Sequence, residues 1–449
     1  NNLASASVQN IASWRSENRI ISFFGRANYS FQDKYLLTAT IRSDGASQMG
    51  ANNKWGAFPS ASVAWRVSDE DFLNTSNLID NLKLRVAYGV TGNNNFSAYT
   101  ALARVSPTEK QYSFDGSSAA SGLGPDGRFG AVEVYKTQTV DMIIDKSLSS
   151  ASTGYSVIRA NIGEMSNSGV ELSLGGNIID RGFKWTASGN FSKNQNEIVK
   201  LDRDAPIVIR LAREPVSGYG QEAYREMVAG GQMGDFYGYT YDGVVQVGET
   251  YGPQPLSKPG EAKYKDVNGD GELNADDRSI IGNATPDFTW GLNNRFMYKG
   301  FTLNVFFQGV EGNDLLNLRG VMVDELRSAK AADRYTTANT SGTRPGIGYF
   351  DGRNGYGGYV NSEFIEDASY VRLKNVSLAY RFDTNAVSWL GNAEVYVQAE
   401  NLMTFTNYSG FDPEVSFSYS GVSQSSGRGV DDNGFPNYKT YTIGLRLGF

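Results

Sequence analysis

The chain contains no cysteine and no histidine. Without cysteine there are no disulfides, thiolate nucleophiles or zinc–thiolate centres, a composition that suits transit through an oxidising periplasm. Without histidine, Ser-His-Asp catalysis and imidazole metal sites are excluded. No run of about 20 apolar residues occurs, so a helical membrane span is excluded as well. Hydrophobic residues are only 40% of the chain, and the mean hydropathy is negative. A net charge of -7, with no cluster of Lys or Arg, offers no footprint for nucleic acid. The opening stretch NNLASASVQNIASW has no secretory leader and reads as a loop, so a longer polypeptide is expected to precede it.

What is abundant is glycine and aromatic side chains: Gly 51, Tyr 26 and Phe 24 in 449 residues. Length alone suggests two or three soluble domains. Many aromatics, much glycine and low hydropathy together fit instead strands that meet lipid on one side only. The segment NYKTYTIGLRLGF places Tyr441, Ile443, Leu445, Leu447 and Phe449 on one face and Thr440, Thr442, Gly444, Arg446 and Gly448 on the other. Such alternation means one apolar face and one wet face. A soluble sandwich edge shows the same pattern in one strand. Here it recurs, beginning at Ile21, Tyr35, Leu82, Val170, Phe301 and Val376. Each run is about the 9–11 residues that a tilted strand needs to cross a bilayer.

Connection lengths are a second signal. Outer-membrane barrels have short periplasmic turns and long extracellular loops. With Tyr438–Phe449 running inward, Thr404–Asn437 becomes an outer loop, Asp383–Asn392 an inner turn and Gly312–Ser369 an outer loop. Lys299-Gly300, Arg181-Gly182 and Gln32-Asp33 fall on the inner side and Ser43–Gly56 outside. Parity requires an even number of spanning strands, zero included, within Gln195–Asp287, and an odd number ahead of residue 1. The sequence thus predicts an all-β fold: a transmembrane antiparallel β-barrel with long extracellular loops, of which residues 1–449 are the C-terminal part.

The sharpest motif is DVNGDGELNADD. Asp266, Asn268 and Asp270 stand at positions 1, 3 and 5 of a twelve-residue loop, Gly271 at the sharp turn of position 6, Glu272 with its carbonyl at 7, Asn274 at 9 and Asp277 at 12. Oxygens at this spacing wrap a calcium ion. Asp at position 12, where helical sensors have Glu, resembles dockerin-type loops, and no amphipathic helix flanks it. The alternative is a metal-free Asp/Asn/Gly turn. Carboxylate groups such as Glu363 with Glu366 and Asp367, or Asp431 with Asp432, read as solvated loop charge, since sequence brings no pair to the ~5–10 Å of a glycosidase. DGRNGYGGYV lacks the context of a phosphate cradle and reads as loop. Tyr349, Phe350, Tyr356, Tyr359 and Tyr408 suit either stacking on a sugar or peptide, or packing between loops.

Several stretches resemble the SusC/RagA family of TonB-dependent outer-membrane transporters: LIDNLKLRVAYGVTGNNNF, ANIGEMSNSGVELSLGGNII, DFYGYTYDG, KYKDVNGDGELNADDRSIIGNATPDFTWGLNNRFMYKGFTLNVFFQG and NYSGFDPEVS, with the strand ending at Phe449. The resemblance implies a 22-stranded barrel in the outer membrane of a Gram-negative bacterium, with an N-terminal plug that lies outside this sequence. It also implies a SusD-like surface lipoprotein as lid and TonB as the source of energy. Import of a large polar nutrient, glycan or peptide, follows from it, with Phe449 as the outer-membrane insertion signal. The chain departs from the family near Gly130, where an NPDLKWE-like strand region is missing ahead of VEVYKTQT, so the strand count through Leu123–Asp145 is left open. A passive porin or a surface adhesin built on a barrel is the competing function. An enzyme is disfavoured by the absence of histidine and of a convergent nucleophile site.

Overall fold

The computed structural model describes residues 19–47, 54–72, 81–90, 129–147, 157–201, 207–210, 224–227, 229–317, 332–346, 361–383, 391–415, 429–431 and 434–448. Two compact units divide the chain: residues 1–65 with 86–108, and residues 66–85 with 109–449. Among the described residues every element is a strand or a single turn of 3-10 helix.

The first unit is a meander of β1 (Ile20–Phe31), β2 (Tyr35–Ala46) and β3 (Trp55–Arg66). β1 and β2 close through Gln32, Asp33 and Lys34, between the paired Phe31 and Tyr35; Gln32 and Asp33 both have positive φ (53° and 54°), the backbone that tight hairpin turns use. Ser30 donates to Asp33 Oδ1 at 3.0 Å, which helps hold the aspartate in that conformation. Ile41 faces outward, as do Tyr35 and Leu37. The expected outer loop Ser43–Gly56 is shorter than the sequence suggests: β2 runs on to Ala46 and β3 begins at Trp55, because Gly45 and Trp55 are ladder partners. β4 (Asn81–Gly89) is shared between the two units.

In the second unit the wall begins with β5 (Phe129–Ser147), β6 (Val157–Asp180) and β7 (Phe183–Lys200). Short strands follow: β8 (Ile207–Arg210), β9 (Tyr224–Met227), β10 (Asp235–Gly238), β11 (Tyr241–Val244), β12 (Ala262–Tyr264) and β13 (Ser279–Asn283). The wall resumes with β14 (Phe288–Tyr298) and β15 (Phe301–Glu311), and then come β16 (Asp314–Asn317) and β17 (Ile365–Asp367). It ends with β18 (Tyr370–Phe382), β19 (Asn392–Thr406) and, after β20 (Val430–Asp431), β21 (Thr440–Gly448). Eight of these form one antiparallel run in the order β5-β6-β7-β14-β15-β18-β19-β21.

β7 pairs directly with β14, Phe183 against Tyr298. The number of wall strands between Gln195 and Asp287 is therefore zero, the lowest even number. Among the described residues β8 to β13 pair only among themselves. β5 is one strand along its described length, paired to β6 from Phe129↔Gly175 to Ser147↔Val157, so Phe129–Asp145 contributes a single strand, while residues 123–128 lie outside the described residues. The 9–11-residue expectation holds for β14, β15 and β21, but β5, β6, β7 and β19 have 19, 24, 18 and 15 residues. These strands continue beyond the length a bilayer requires because each still has a neighbour to pair with.

The ladder registers place the connections at two ends. Arg181-Gly182, Lys299-Gly300 and residues 383–391 join strands at one end, and residues 201–287, 312–369 and 407–439 at the other. Lys299 and Gly300 both have positive φ (45° and 85°), as a primed hairpin turn requires. A Cβ at position 300 would also come 2.9 Å from the Arg381 carbonyl oxygen.

Face alternation follows the sequence along β21: Tyr441, Ile443 and Leu445 are 70%, 80% and 64% exposed. The opposite face carries an ion pair from Arg446 to Glu394 at 2.8 Å, with the same guanidinium 4.5 Å from the Tyr396 ring. β18 switches faces part-way. Phe306 faces Asn375 and Phe307 faces Leu373, so Lys374 is an extra residue. Below this bulge Leu378 and Phe382 are the exposed large hydrophobic positions. Above it Val371 and Leu373 pair with Phe405 and Met403, whose side chains are exposed, so Tyr370 and Arg372 turn to the polar face. An inserted residue shifts a period of two by one step.

If the apolar face meets lipid, charge is tolerated on one side of a strand only. Ile443→Arg should lower unfolding free energy in lipid vesicles by about 2–4 kcal/mol, while Thr442→Arg should stay within about 1 kcal/mol. Urea titration followed by tryptophan fluorescence measures both; equal effects would show that neither face is buried in lipid.

Candidate functional site: a packed crown on one rim

The described parts of the three long connections fold onto one another. β10 pairs with β13, β11 with β12, and β16 lies between β17 and β20. A small core of Tyr239, Ala262 and Tyr264, with Tyr241 and Leu273 against it, fills the first group, and the Tyr239 and Tyr264 rings sit 5.5 Å apart. Gln254, almost fully buried, takes the role of a strand neighbour. Its Nε2 donates to the Ala262 carbonyl at 3.1 Å and its Oε1 accepts from Tyr264 N–H at 2.8 Å. Buried polar groups must be paired in this way or destabilise the fold.

Residues 361–364 and 343–346 join this core from the next connection. Ser362 N–H donates to the Tyr239 carbonyl and Tyr241 N–H to Ser362 Oγ at 3.0 Å. The Tyr241 hydroxyl donates to the Thr343 carbonyl at 2.9 Å. Burial, with the Glu363 carboxylate nearby, pushes that phenol far above its ordinary value, so it remains a neutral donor. Glu363 pairs with Arg344 at 3.3 Å, and Glu366 accepts from Ser409 N–H and Oγ at 2.9 and 2.8 Å. Asp431 is buried and accepts from the Tyr408 hydroxyl at 2.7 Å. Glu363, Glu366 and Asp431 are thus structural ties, not the solvated loop charge their sequence suggests. Carboxylates spread along a chain reveal their partners only when distant loops meet. Tyr408, buried with Leu315 and Ala368, packs between loops and is withdrawn from stacking on a ligand. Tyr349, Phe350, Tyr356, Tyr359, Asp432 and the stretch DGRNGYGGYV lie outside the described residues, as does Phe449.

A second tie was invisible in the sequence. Arg372, 1% exposed, donates to Thr404 Oγ1 at 3.0 Å and to Glu414 Oε2 at 2.7 Å, and forms a buried ion pair with Asp412. Lys374 reaches Glu414 at 3.3 Å. Burial alone would raise the Asp412 carboxyl. The N–H groups of Glu414 and Asn437, together with Arg372, outweigh that and hold it below the ordinary carboxylate range. Removing one partner of such a cluster typically costs about 3–5 kcal/mol, because the charge left behind stays buried.

The loop Asp266–Asp277 is built on short polar turns. Asp266 accepts from Gly269 and Gly271 N–H at 2.6 and 2.8 Å, Asn268 from Asp270 N–H at 3.0 Å, and Asp270 from Glu272 N–H at 2.8 Å. These last contacts, with Asn268, keep the Asp270 carboxyl below its ordinary value. Gly271 has φ +87°, as the sharp turn at position 6 demands. Asn274 caps a 3-10 turn, Ala275–Asp277, and its Nδ2 reaches the Glu272 carbonyl at 3.4 Å. Asp277, fully buried, closes the loop by accepting from Val267 and Asn274 N–H at 2.9 and 2.8 Å. Among the described residues no three Asp or Glu side chains converge closely enough to grip a metal as they stand.

The TonB dependent receptor-like, beta-barrel family matches residues 1–255, more than half of the chain. The chain belongs to that family. Its wall is therefore part of a transmembrane antiparallel β-barrel. TonB-dependent receptor P3 of Formosa agariphila is 34% identical over 98% of the chain and 46% of its own length. TonB-dependent receptor SusC of Bacteroides thetaiotaomicron is 29% identical over 99% and 45%. Among solved structures, the RagAB peptide transporter superposes with a TM-score of 0.70 at 27% identity, over 96% of this chain and 47% of that one. The expected kinship with the SusC and RagA type is thus found. The chain spans about half the length of the relatives it matches.

In this TonB-dependent receptor-like barrel the Asp412 tie sets a pH dependence. A carboxyl whose folded pKa is depressed contributes stability above its ordinary value and loses it as pH falls through the folded one. Acidification below the ordinary 3.8 should therefore lower the thermal midpoint of the parent more steeply than that of Asp412→Asn. Parallel pH curves for the two would remove Asp412 from the stability balance.

Proposed function

We propose that this chain forms barrel wall and outer loops of a TonB-dependent outer-membrane importer for large polar nutrients, oligosaccharides or oligopeptides, working with a SusD-like surface lipoprotein. The observation that carries the reading is the asymmetry of the two rims: short connections on one, three long connections whose described parts interlock on the other. A rim needing only to close its strands has no use for connections of this length. A wide polar lumen requires a plug and a lid to be selective, and an ordered crown offers the lid a fixed seat. The family match, SusC and RagAB support this reading, and RagAB is itself described as a peptide transporter. Energy enters through TonB acting on parts of the protein outside this chain, so the wall needs no chemistry of its own.

Extraction in mild detergent with a tag on the full-length protein should co-purify a lipidated protein of comparable size. A barrel that comes out alone, and whose uptake survives trimming of residues 312–369 and 407–439, would make a passive porin the better reading.

Within the same proposal, the loop Asp266–Asp277 binds calcium as a brace on the outer side. Supporting this are the ligand spacing and the open lone pairs. Each carboxylate has about four acceptor positions, so Asp266, Asp270 and Asp277 retain capacity after their N–H bonds. Asn268, Asn274 and the Glu272 carbonyl would complete the shell. Asp266→Ala with Asp270→Ala should lower the thermal midpoint in calcium buffer and leave it unchanged in chelator. Identical midpoints of parent and variant in both buffers would eliminate the ion.

A further inference from the structure

The Arg372 cluster is charge-balanced within itself: Arg372 and Lys374 against Asp412 and Glu414. A closed, neutral set of this kind has nothing left over for an anionic or cationic ligand. Its partners instead show what it joins. Arg372 belongs to β18 and Thr404 to β19, while both carboxylates come from the start of the connection between β19 and β21. Asn437, at the far end of that connection, donates its N–H to Asp412 Oδ2 at 2.9 Å and its Nδ2 to Glu414 Oε2 at 3.1 Å. One residue later, the Tyr438 carbonyl accepts from Asn401 Nδ2 at 2.9 Å. Both ends of a connection of some thirty residues therefore meet at the two carboxylates that one guanidinium holds.

The side on which they meet also matters. Val371 and Leu373 lie opposite Phe405 and Met403 on the exposed apolar face, so Arg372 and Thr404 point to the polar one. The bulge at Lys374 is what turns Arg372 that way. Asp412-Pro413-Glu414 is thereby drawn inward, over the polar side of the wall. Beyond it the connection is held again where β20 pairs with β16 and where Tyr408 donates to Asp431. Arg suits the task because its planar fork reaches two carboxylates at once, which the single ammonium of Lys does not.

We propose that Arg372 is a positioning residue of the pore mouth, strapping the two described ends of the β19–β21 connection, residues 407–415 and 434–439, inward so that they form a fixed sill beside which substrate passes. This rests on the importer reading above.

The test uses the full-length protein in outer-membrane vesicles. This chain has no cysteine, so a nitroxide at Phe435→Cys, a position 90% exposed beside the strap, reports on it alone once any cysteine outside this chain is replaced by serine. Arg372→Met should convert an ordered spectrum into a mobile one while the barrel remains heat-modifiable, and Arg372→Lys should fall between. An unchanged spectrum overturns the strap. Where Arg372→Met yields no folded barrel, Glu414→Gln decides in the same way, because that side chain is partly exposed and its loss is milder. For the mouth itself, uptake of fluorescein-labelled oligopeptides and, separately, oligodextrans is measured in cells. For the probe the parent imports, Arg372→Met should raise the half-saturating concentration severalfold and leave the maximal rate near parental. A mobile label with unaltered uptake overturns the positioning role. A parent that imports neither probe counts against the importer reading, and the spectra still decide the strap.

Discussion

Everything in this protein depends on one constraint: a backbone in lipid must satisfy its hydrogen bonds within the protein. Only a helix or a continuous series of paired strands does so, and this chain has no apolar run long enough for the helix. The wall strands of the second unit therefore pair with their successors in an unbroken antiparallel order, and a connection of some ninety residues leaves the ladder between β7 and β14 intact. The strands can extend well past the bilayer because pairing, once begun, continues wherever both partners have backbone to offer.

The same constraint leaves side chains free to alternate. One face is apolar and exposed, the other holds amide, hydroxyl and ion-pair contacts such as Asn304 with Ser377 at 3.1 Å and Arg446 with Glu394. The single extra residue at Lys374 exchanges the faces within β18. That exchange brings a guanidinium to the polar side at the level where the last long connection returns. A local backbone irregularity thus places the charge that organises a distant loop.

At the rim, polar groups replace apolar area as the means of holding loops together. Among its described residues the crown has two small clusters of buried aromatic and aliphatic side chains, and around them carboxylates, amides and hydroxyls cross between connections. Gln254 stands in for a strand, Glu366 captures Ser409, and Asp431 receives the Tyr408 hydroxyl. Glycine-rich, aspartate-rich loops can be ordered in this way without a large core, because each buried acceptor that finds its donor avoids a desolvation penalty of about 1–3 kcal/mol.

The alternation of apolar and polar residues, the tight turns at Gln32-Asp33 and Lys299-Gly300, and the long-short rhythm of connections were all legible in the sequence, because each depends on residues close along the chain. The twelve-residue spacing of Asp266–Asp277 was legible for the same reason, down to the glycine at its sharp turn. What the sequence by itself did not determine was which charges meet. Arg372 and Asp412 are forty residues apart, and Glu363, Glu366 and Asp431 resemble ordinary solvent-facing carboxylates until three connections fold onto one rim. The inward turn of Arg372 depends on a bulge that exists only once β15, β18 and β19 are paired. Period and turn chemistry are local properties that a sequence carries openly; partners across a rim are set by ladder register, and that is decided only when the tertiary structure forms.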